Sequence, residues 1–217
     1  MSISTSSGNY LRVAKSYGGV NKFTVAMWVY PNTSGAGLMA GMWETNTWQW
    51  FFSRQSNNWL SFGVRDSWYK TYDFPTGAWW AQVPTQAWTH LVLTFNPAVE
   101  TGADALRAYV NAYFAGSLPM NDGVNSVLNN VSGSFGLGGS ENQAGGTFDG
   151  RIAEFATWTE RISDAEIVSL YKGFSPRLIR NPDCYIPLVR DVQDRTTGYA
   201  ITTVGSPTVQ DHPRIYL

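Results

Sequence analysis

The stretch GTFDGRIAEFATWTERISDAEIVSLYKG, Gly146–Gly173, holds two element signatures in succession. Its first half reads as a strand over 148–158. In an unbroken strand Gly150, Ile152, Glu154, Ala156 and Trp158 share one face and Asp149 points to the other. Its second half reads as a helix over 163–172 with both ends specified. Ser163 is an N-cap, and Glu166 three residues on can reach back to its amide. Ile162 and Ile167 form a hydrophobic staple across the same turn. Asp164 and Glu166 sit at the positive end of the helix and Lys172 near the negative end. Gly173 is placed to stop it in a left-handed turn. Ile167, Leu170 and Tyr171 make a narrow apolar stripe. A helix this short is marginal alone, so the stripe must dock on a sheet. The acids pose the functional question: an acid-lined active site, or the seam that closes a scaffold.

Working outward, the chain offers strands on every side. Phe23, Val25, Met27 and Val29 line one face of FTVAMWVYP, with Thr24, Ala26, Trp28 and Tyr30 on the other, and Pro31 stops the ladder. Residues 59–65, 88–96, 106–116 and 134–139 are further strands. Both faces of many of these runs are apolar or aromatic, which fits two packed sheets with covered outer surfaces. The 217 residues suffice for one well-buried domain. Charged residues at 14% and 21 glycines suit an all-β chain rich in turns. After residue 177 the character changes. FSPRLIRNPDC reads as an extended linker, YIPLV and YAITTVG as strands around the turn-rich RDVQDRTTG, and the tail as extended and partly exposed. The division is therefore a sandwich over 1–177 and an extension over 178–217 that completes it or contacts a neighbour.

A formal net charge of -1 and the lack of a basic run argue against nucleic acid and anionic membranes as partners. Cys184 is the only cysteine, so neither an internal disulfide nor a cysteine metal cluster is available. The polar N-terminus lacks the apolar core of a signal peptide, and no run is long enough to span a bilayer. Cytoplasmic synthesis without classical secretion is the expectation.

The motifs, taken in order, resemble the laminin-G-like group of concanavalin A-like jelly rolls. FTVAMWVYP resembles the group's first core strand and WTHLVLTFN its Trp-x-His strand. LRAYVNAYFAG resembles its Tyr-apolar-Asn-Gly hairpin, and residues 148–173 its closing strand and helix. The likeness covers about residues 20–173. It implies an all-β jelly-roll sandwich of two antiparallel sheets with one short helix near 163–172. There are departures. Ala112 stands where the hairpin glycine would be, so a turn other than type I′ is expected. Ala153 replaces the aspartate of an Asp-Glu pair, leaving Glu154. CYIPLVRDVQDRTTG resembles the group's opening strand displaced to the C-terminus. Members with an IPLV…D segment and a DHPRIY-like tail resemble bacteriophage virion proteins. That likeness implies a location on the virion surface after assembly in the host cytoplasm, with other virion proteins or further copies of the chain as partners.

Catalysis finds little support in the residues. Glycoside hydrolysis normally needs two carboxylates flanking the bond, whereas Glu154 is alone on its expected face. Its expected role is structural, paired with Arg161, since a buried carboxylate needs a partner. His90 lies in a core strand and His212 in the tail. No Gly-x-Ser-x-Gly elbow or His-Glu-x-x-His appears. Cys184 reads as a small buried hydrophobe. Calcium is the usual ion of the resembling group. Asn121 and Asp122, or Glu141 and Asn142, could supply oxygens but follow no strict ligand pattern, so no cofactor is expected.

The aromatic residues are the most unusual feature, with nine of the 10 tryptophans between Trp28 and Trp88. Trp48 and Trp50 sit at strand spacing, and Trp68, Tyr69, Trp79 and Trp80 sit in a loop-like stretch. Three readings stand: core, protein interface, or a platform on which sugar rings stack. These six are the expected ligand- or partner-binding residues. The expectation is a non-catalytic structural or binding protein, foremost a head decoration or accessory protein of a phage. A carbohydrate-binding adhesion module is the alternative, and a glycoside hydrolase comes third.

Overall fold

The structure, a computed structural model, describes residues 2–6, 8–44, 47–65, 81–97, 105–118, 127–130, 132–140, 146–188 and 191–213. In chain order the strands are β1 (Ser2–Thr5), β2 (Tyr10–Val13), β3 (Phe23–Pro31), β4 (Gly37–Glu44) and β5 (Thr47–Arg54). β6 (Leu60–Val64), β7 (Thr89–Phe95), β8 (Leu106–Val110), β9 (Tyr113–Leu118), β10 (Phe135–Leu137) and β11 (Gly150–Trp158) follow. Helix α1 (Asp164–Tyr171) and a 3₁₀ turn (Pro176–Leu178) precede β12 (Cys184–Ile186), β13 (Ile201–Val204) and β14 (Thr208–Gln210).

The strands form two antiparallel sheets. The larger runs β14-β1-β11-β3-β7-β8-β9, with β12 also on β11, and the smaller runs β13-β2-β10-β4-β5-β6. Between them lies the main core. The alternation of β3 has the expected phase, for Phe23, Val25, Met27 and Val29 all enter this core. Opposite them, Trp50, Phe52, Phe62 and Phe135 project from the smaller sheet. The all-β sandwich with one short helix is therefore the fold.

Helix α1 covers a second apolar layer on the outer face of the larger sheet. Ile162, Ile167 and Leu170 pack there on Ala26, Val92, Ala156 and Trp158. The capping box is complete, with Ser163 accepting from the Glu166 amide and Glu166 accepting from that of Ser163. At the other end Gly173 has φ 90°, its N–H reaches the Leu170 carbonyl, and the Phe174 N–H reaches that of Ser169. This pair of bonds is a Schellman motif. Arg180 adds ion pairs at 2.6 Å to Glu166 and 2.7 Å to Glu160.

Three details differ from the sequence expectations. The β8–β9 turn places both Asn111 (φ 52°) and Ala112 (φ 64°) at positive φ, as a type I′ turn requires. The flanking strands twist the loop into that geometry despite the alanine. In β11 the unbroken alternation fails. Ala153 pairs with Trp28 but Ala156 pairs with Ala26, so one residue is inserted, and Glu154 takes φ 51°. Ile152 and Phe155 then both face the main core, while Ala156 and Trp158 face the helix layer. β5 repeats the device. Met42 pairs with Trp50 and Trp43 with Trp48, so Gln49 is extra and Trp48 and Trp50 fall on opposite faces.

The C-terminal segment threads both sheets. β12 pairs with Phe155–Thr157 of β11, directly beyond the part of that edge taken by β1. β13 pairs with β2, and β14 with the outer edge of β1. Asp194 organises the intervening loop, accepting from the amides of Tyr185, Thr196, Thr197 and Tyr199 and from both threonine hydroxyls. Burial raises its pKa, but the bonds from Thr196, Tyr185, Tyr199 and Thr197 outweigh this and hold it at about 2. Among the described residues no helix is long and apolar enough to cross a membrane.

Candidate functional site

Glu154 occupies the β11 bulge where the edges of β1 and β12 meet, and it is 4% exposed. The Tyr185 hydroxyl donates to its Oε2 at 2.7 Å, and the His212 imidazole Nε2 lies 3.0 Å from its Oε1. The bulge amide donates to the Pro187 carbonyl at 3.2 Å. Ser175 in turn donates to the Tyr185 oxygen at 3.4 Å. Burial and then the Glu154 charge push the Tyr185 phenol well above its ordinary range, so it remains a donor. The partners seen on Glu154, Tyr185 and His212, both come from the C-terminal segment, whereas the sequence suggests Arg161.

The other acid of the strand is equally committed. Asp149 accepts from the Asn32 side-chain amide at 2.9 Å and from the Thr33 hydroxyl at 3.0 Å, fixing the β3–β4 turn. Glu154 thus has a phenol and an imidazole about it, and Asp149 serves a different loop. Among the described residues neither faces a second carboxylate, and no group of three or more His, Cys, Asp or Glu side chains is placed to hold a metal ion. Asn121, Asp122, Glu141 and Asn142 lie outside the described residues.

The remaining reactive side chains are buried within packing. His90 is 2% exposed, and burial lowers its pKa to about 3, so the ring is neutral. It lies 5.0 Å from the Trp28 ring, and its backbone amide donates to the Asn111 side chain at 2.9 Å. Cys184 is buried, and burial followed by Asp194 and Asp183 pushes its thiol up, so it stays protonated. Arg54 is fully buried, and its guanidinium donates to the carbonyls of Val83, Thr33 and Gly35 and to Asn58. It clasps the loops at one end of the smaller sheet.

The two described tryptophans of the expected site part company. Trp50 is fully buried between Phe23, Phe135 and Phe155, so it presents no ring to a ligand. Trp48 stacks on half-buried Trp43 at 5.6 Å and meets Phe51 edge-on, forming an aromatic cluster on the outer face of the smaller sheet. Trp68, Tyr69, Trp79 and Trp80 lie outside the described residues. The structure brings forward two rings that the sequence reading passed over. Tyr113 and Phe114, at the tip of the β8–β9 hairpin, are 78% and 54% exposed. Their strand pattern gave no warning, because alternation says which faces differ and not which is covered.

A family model described as the concanavalin A-like lectin/glucanases superfamily matches residues 5–168. Among solved structures, the heptameric SAP-like pentraxin of Limulus polyphemus superposes with a TM-score of 0.60 at 14% identity, over 94% of each chain. The binding domain of Paraclostridial Mosquitocidal Protein 1 gives 0.56 at 15% identity, over 78% of this chain and 46% of that one. The binding domain of botulinum neurotoxin serotype D gives 0.55 at 18%, over 82% and 43%. At these identities the likeness concerns the fold. No curated protein matches the sequence.

Proposed function

The chain belongs to the concanavalin A-like lectin/glucanases superfamily, and we propose that it works as a binding module without catalysis, as a surface component of a bacteriophage virion. The carrying observation is Glu154. The single acid of the closing strand's core is locked in a bulge by Tyr185 and His212 instead of facing a second carboxylate across a cleft. Glycoside hydrolysis needs such a pair with room for a sugar between them. The work left to the fold is recognition. The exposed Tyr113 and Phe114 offer the aromatic anchors typical of protein interfaces.

The virion assignment draws on the IPLV segment and the DHPRIY-like tail, with partner subunits or further copies of the chain as what it binds. Purified phage particles are the test. A stoichiometric band of this chain, in a copy number matching a capsid or tail symmetry, is the expected result, and its absence from particles removes the assignment. Turnover of any glycan by the purified protein would overturn the non-catalytic reading.

A second reading, a carbohydrate-binding module in adhesion, draws on the tryptophan-rich stretch and on half-buried Trp43, whose ring neighbours Trp48 and Phe51 are themselves buried. Glycan-array binding that Trp79→Ala or Trp80→Ala abolishes would support it, and a clean array would remove it.

A further inference from the structure

We propose that a cleft between the 3₁₀ turn after α1 and the loop after β12 binds a saccharide bearing a carboxylate, with Arg177 receiving that group. This site rests on the binding reading only in capturing its ligand without turnover, and it requires no virion. The cleft measures about 430 Å³ and is lined by Arg177, Asn181, Pro182, Arg195, Thr196 and Thr197. That volume suits a small ligand. None of the described residues lining it carries a carboxylate.

Arg177 is the middle residue of the turn, whose start Ser175 caps by accepting from the Arg177 amide at 3.4 Å. Its exposed guanidinium has no ion pair or hydrogen bond within the described residues. Arg195 stands beside it in the wall. Its amide donates to the Tyr185 carbonyl at 2.7 Å, and its guanidinium pairs with Asp191, which fixes the side chain while leaving other N–H groups available. The threonines supply the opposite chemistry. The single hydroxyl protons of Thr196 and Thr197 are taken up inside the protein, by the Asp194 carboxylate at 2.6 and 2.8 Å or the Asp183 carbonyl at 3.0 and 3.2 Å. What each oxygen turns outward is therefore a lone pair, which asks for a donor.

These groups select a ligand. A guanidinium fork matches a planar carboxylate through two parallel bonds. Threonine oxygens with spent protons accept from hydroxyl groups but repel an oxyanion that has only acceptors. The Asn181 amide serves both roles, and Pro182 gives a flat apolar surface for a ring face. One carboxylate with several hydroxyls about a ring describes a uronic acid unit better than it does phosphate or sulfate. Six bonds to Asp194 hold the threonine loop in place before any ligand arrives, which lowers the entropic cost of binding.

The test is calorimetric titration of the full chain with trigalacturonate, its methyl ester and inorganic phosphate. Trigalacturonate is expected to bind. Esterification and Arg177→Gln should each weaken binding about tenfold or more, as loss of a charge-assisted pair implies. Arg177→Gln should leave the melting temperature unchanged, since the side chain is exposed, and Trp79→Ala should leave this binding intact. Ester and acid binding equally, or Arg177→Gln binding like the parent, would overturn the site, as would no binding of trigalacturonate. Displacement by equimolar phosphate would overturn its assignment to a saccharide. Loss of binding in Trp79→Ala would move the site to the aromatic stretch.

Discussion

At the scale of single residues, buried polar side chains are decided by partners far away in sequence. Glu154 is satisfied by Tyr185 and His212, 31 and 58 positions further along the chain. Removing the Tyr185 hydroxyl strands a buried carboxylate oxygen, so Tyr185→Phe should cost about 1–3 kcal/mol in urea unfolding. In the double variant with Glu154→Gln the loss should fall below the sum of the two, because the changes touch one contact. Losses that simply add would show that the pair is not coupled. Asp194 gives a prediction in pH. Its folded pKa of about 2 lies below the ordinary aspartate value near 3.9. A depressed carboxylate stabilises the fold fully above the unfolded pKa, and that contribution disappears as pH falls through the folded one. Between about pH 4 and pH 2 the chain should therefore lose about 1–2 kcal/mol through Asp194, allowing for solvent screening. Asp194→Asn should be less stable at neutral pH and show a flatter acid profile. An unchanged slope would remove Asp194 as the source.

At the scale of elements, legibility follows the range of the interactions that specify each one. Helix α1 could be read because Ser163, Glu166, Ile162, Ile167 and Gly173 act on each other within a few residues. The alternation of β3 could be read because β7 pairs with it in unbroken register over Phe23–Val29, and the residue inserted at its other edge lies in β11, not in β3. The bulges at Glu154 and Gln49 could not, because nothing local demands them. Gln49 is held by the Tyr17 amide and by Ser16 and Asn129, all outside its own strand pair. The candidate site suffered in consequence: a shared face for Trp48 and Trp50 follows from spacing, and one inserted residue undoes it. The hairpin shows the reverse case, where geometry overrides residue preference. Ala112 sits at φ 64°, a conformation that costs an L-residue about 1–2 kcal/mol. Glycine removes that strain but adds unfolded-state entropy, so Ala112→Gly should raise stability by about 0.5–1 kcal/mol. Gly173→Ala, at φ 90°, should lower it by about 1 kcal/mol. Thermal melts of both variants test the pair, and shifts of the same sign would contradict the assignment of strain.

At the scale of the whole molecule, the last strands decide whether the sandwich closes. β12 lies against β11 with Cys184 and Ile186 in the main core and Tyr185 in the helix layer. β13 covers β2, and β14 covers β1. A chain ending at Arg177 would bare three strand edges at once and strip the core of Ile186 and Leu188. Each such apolar side chain contributes about 1.5–3 kcal/mol by burial. Together with the severed ladders and the orphaned Glu154, that loss is comparable to the whole net stability of a domain, about 5–15 kcal/mol. Bare edges also template association between chains. The shortened chain should therefore be aggregated or unfolded in size-exclusion chromatography and circular dichroism. A chain ending at Gly205 is a separate case. Among the described residues it loses the three residues of β14, whose Val209 is already 53% exposed, the Ser206 bond to Asn9 and the His212 contact to Glu154. It should stay folded and monomeric with a lowered melting temperature. Cooperative unfolding of a monomeric 1–177 chain would mean that residues 1–177 form an independent domain and that the later strands merely decorate it.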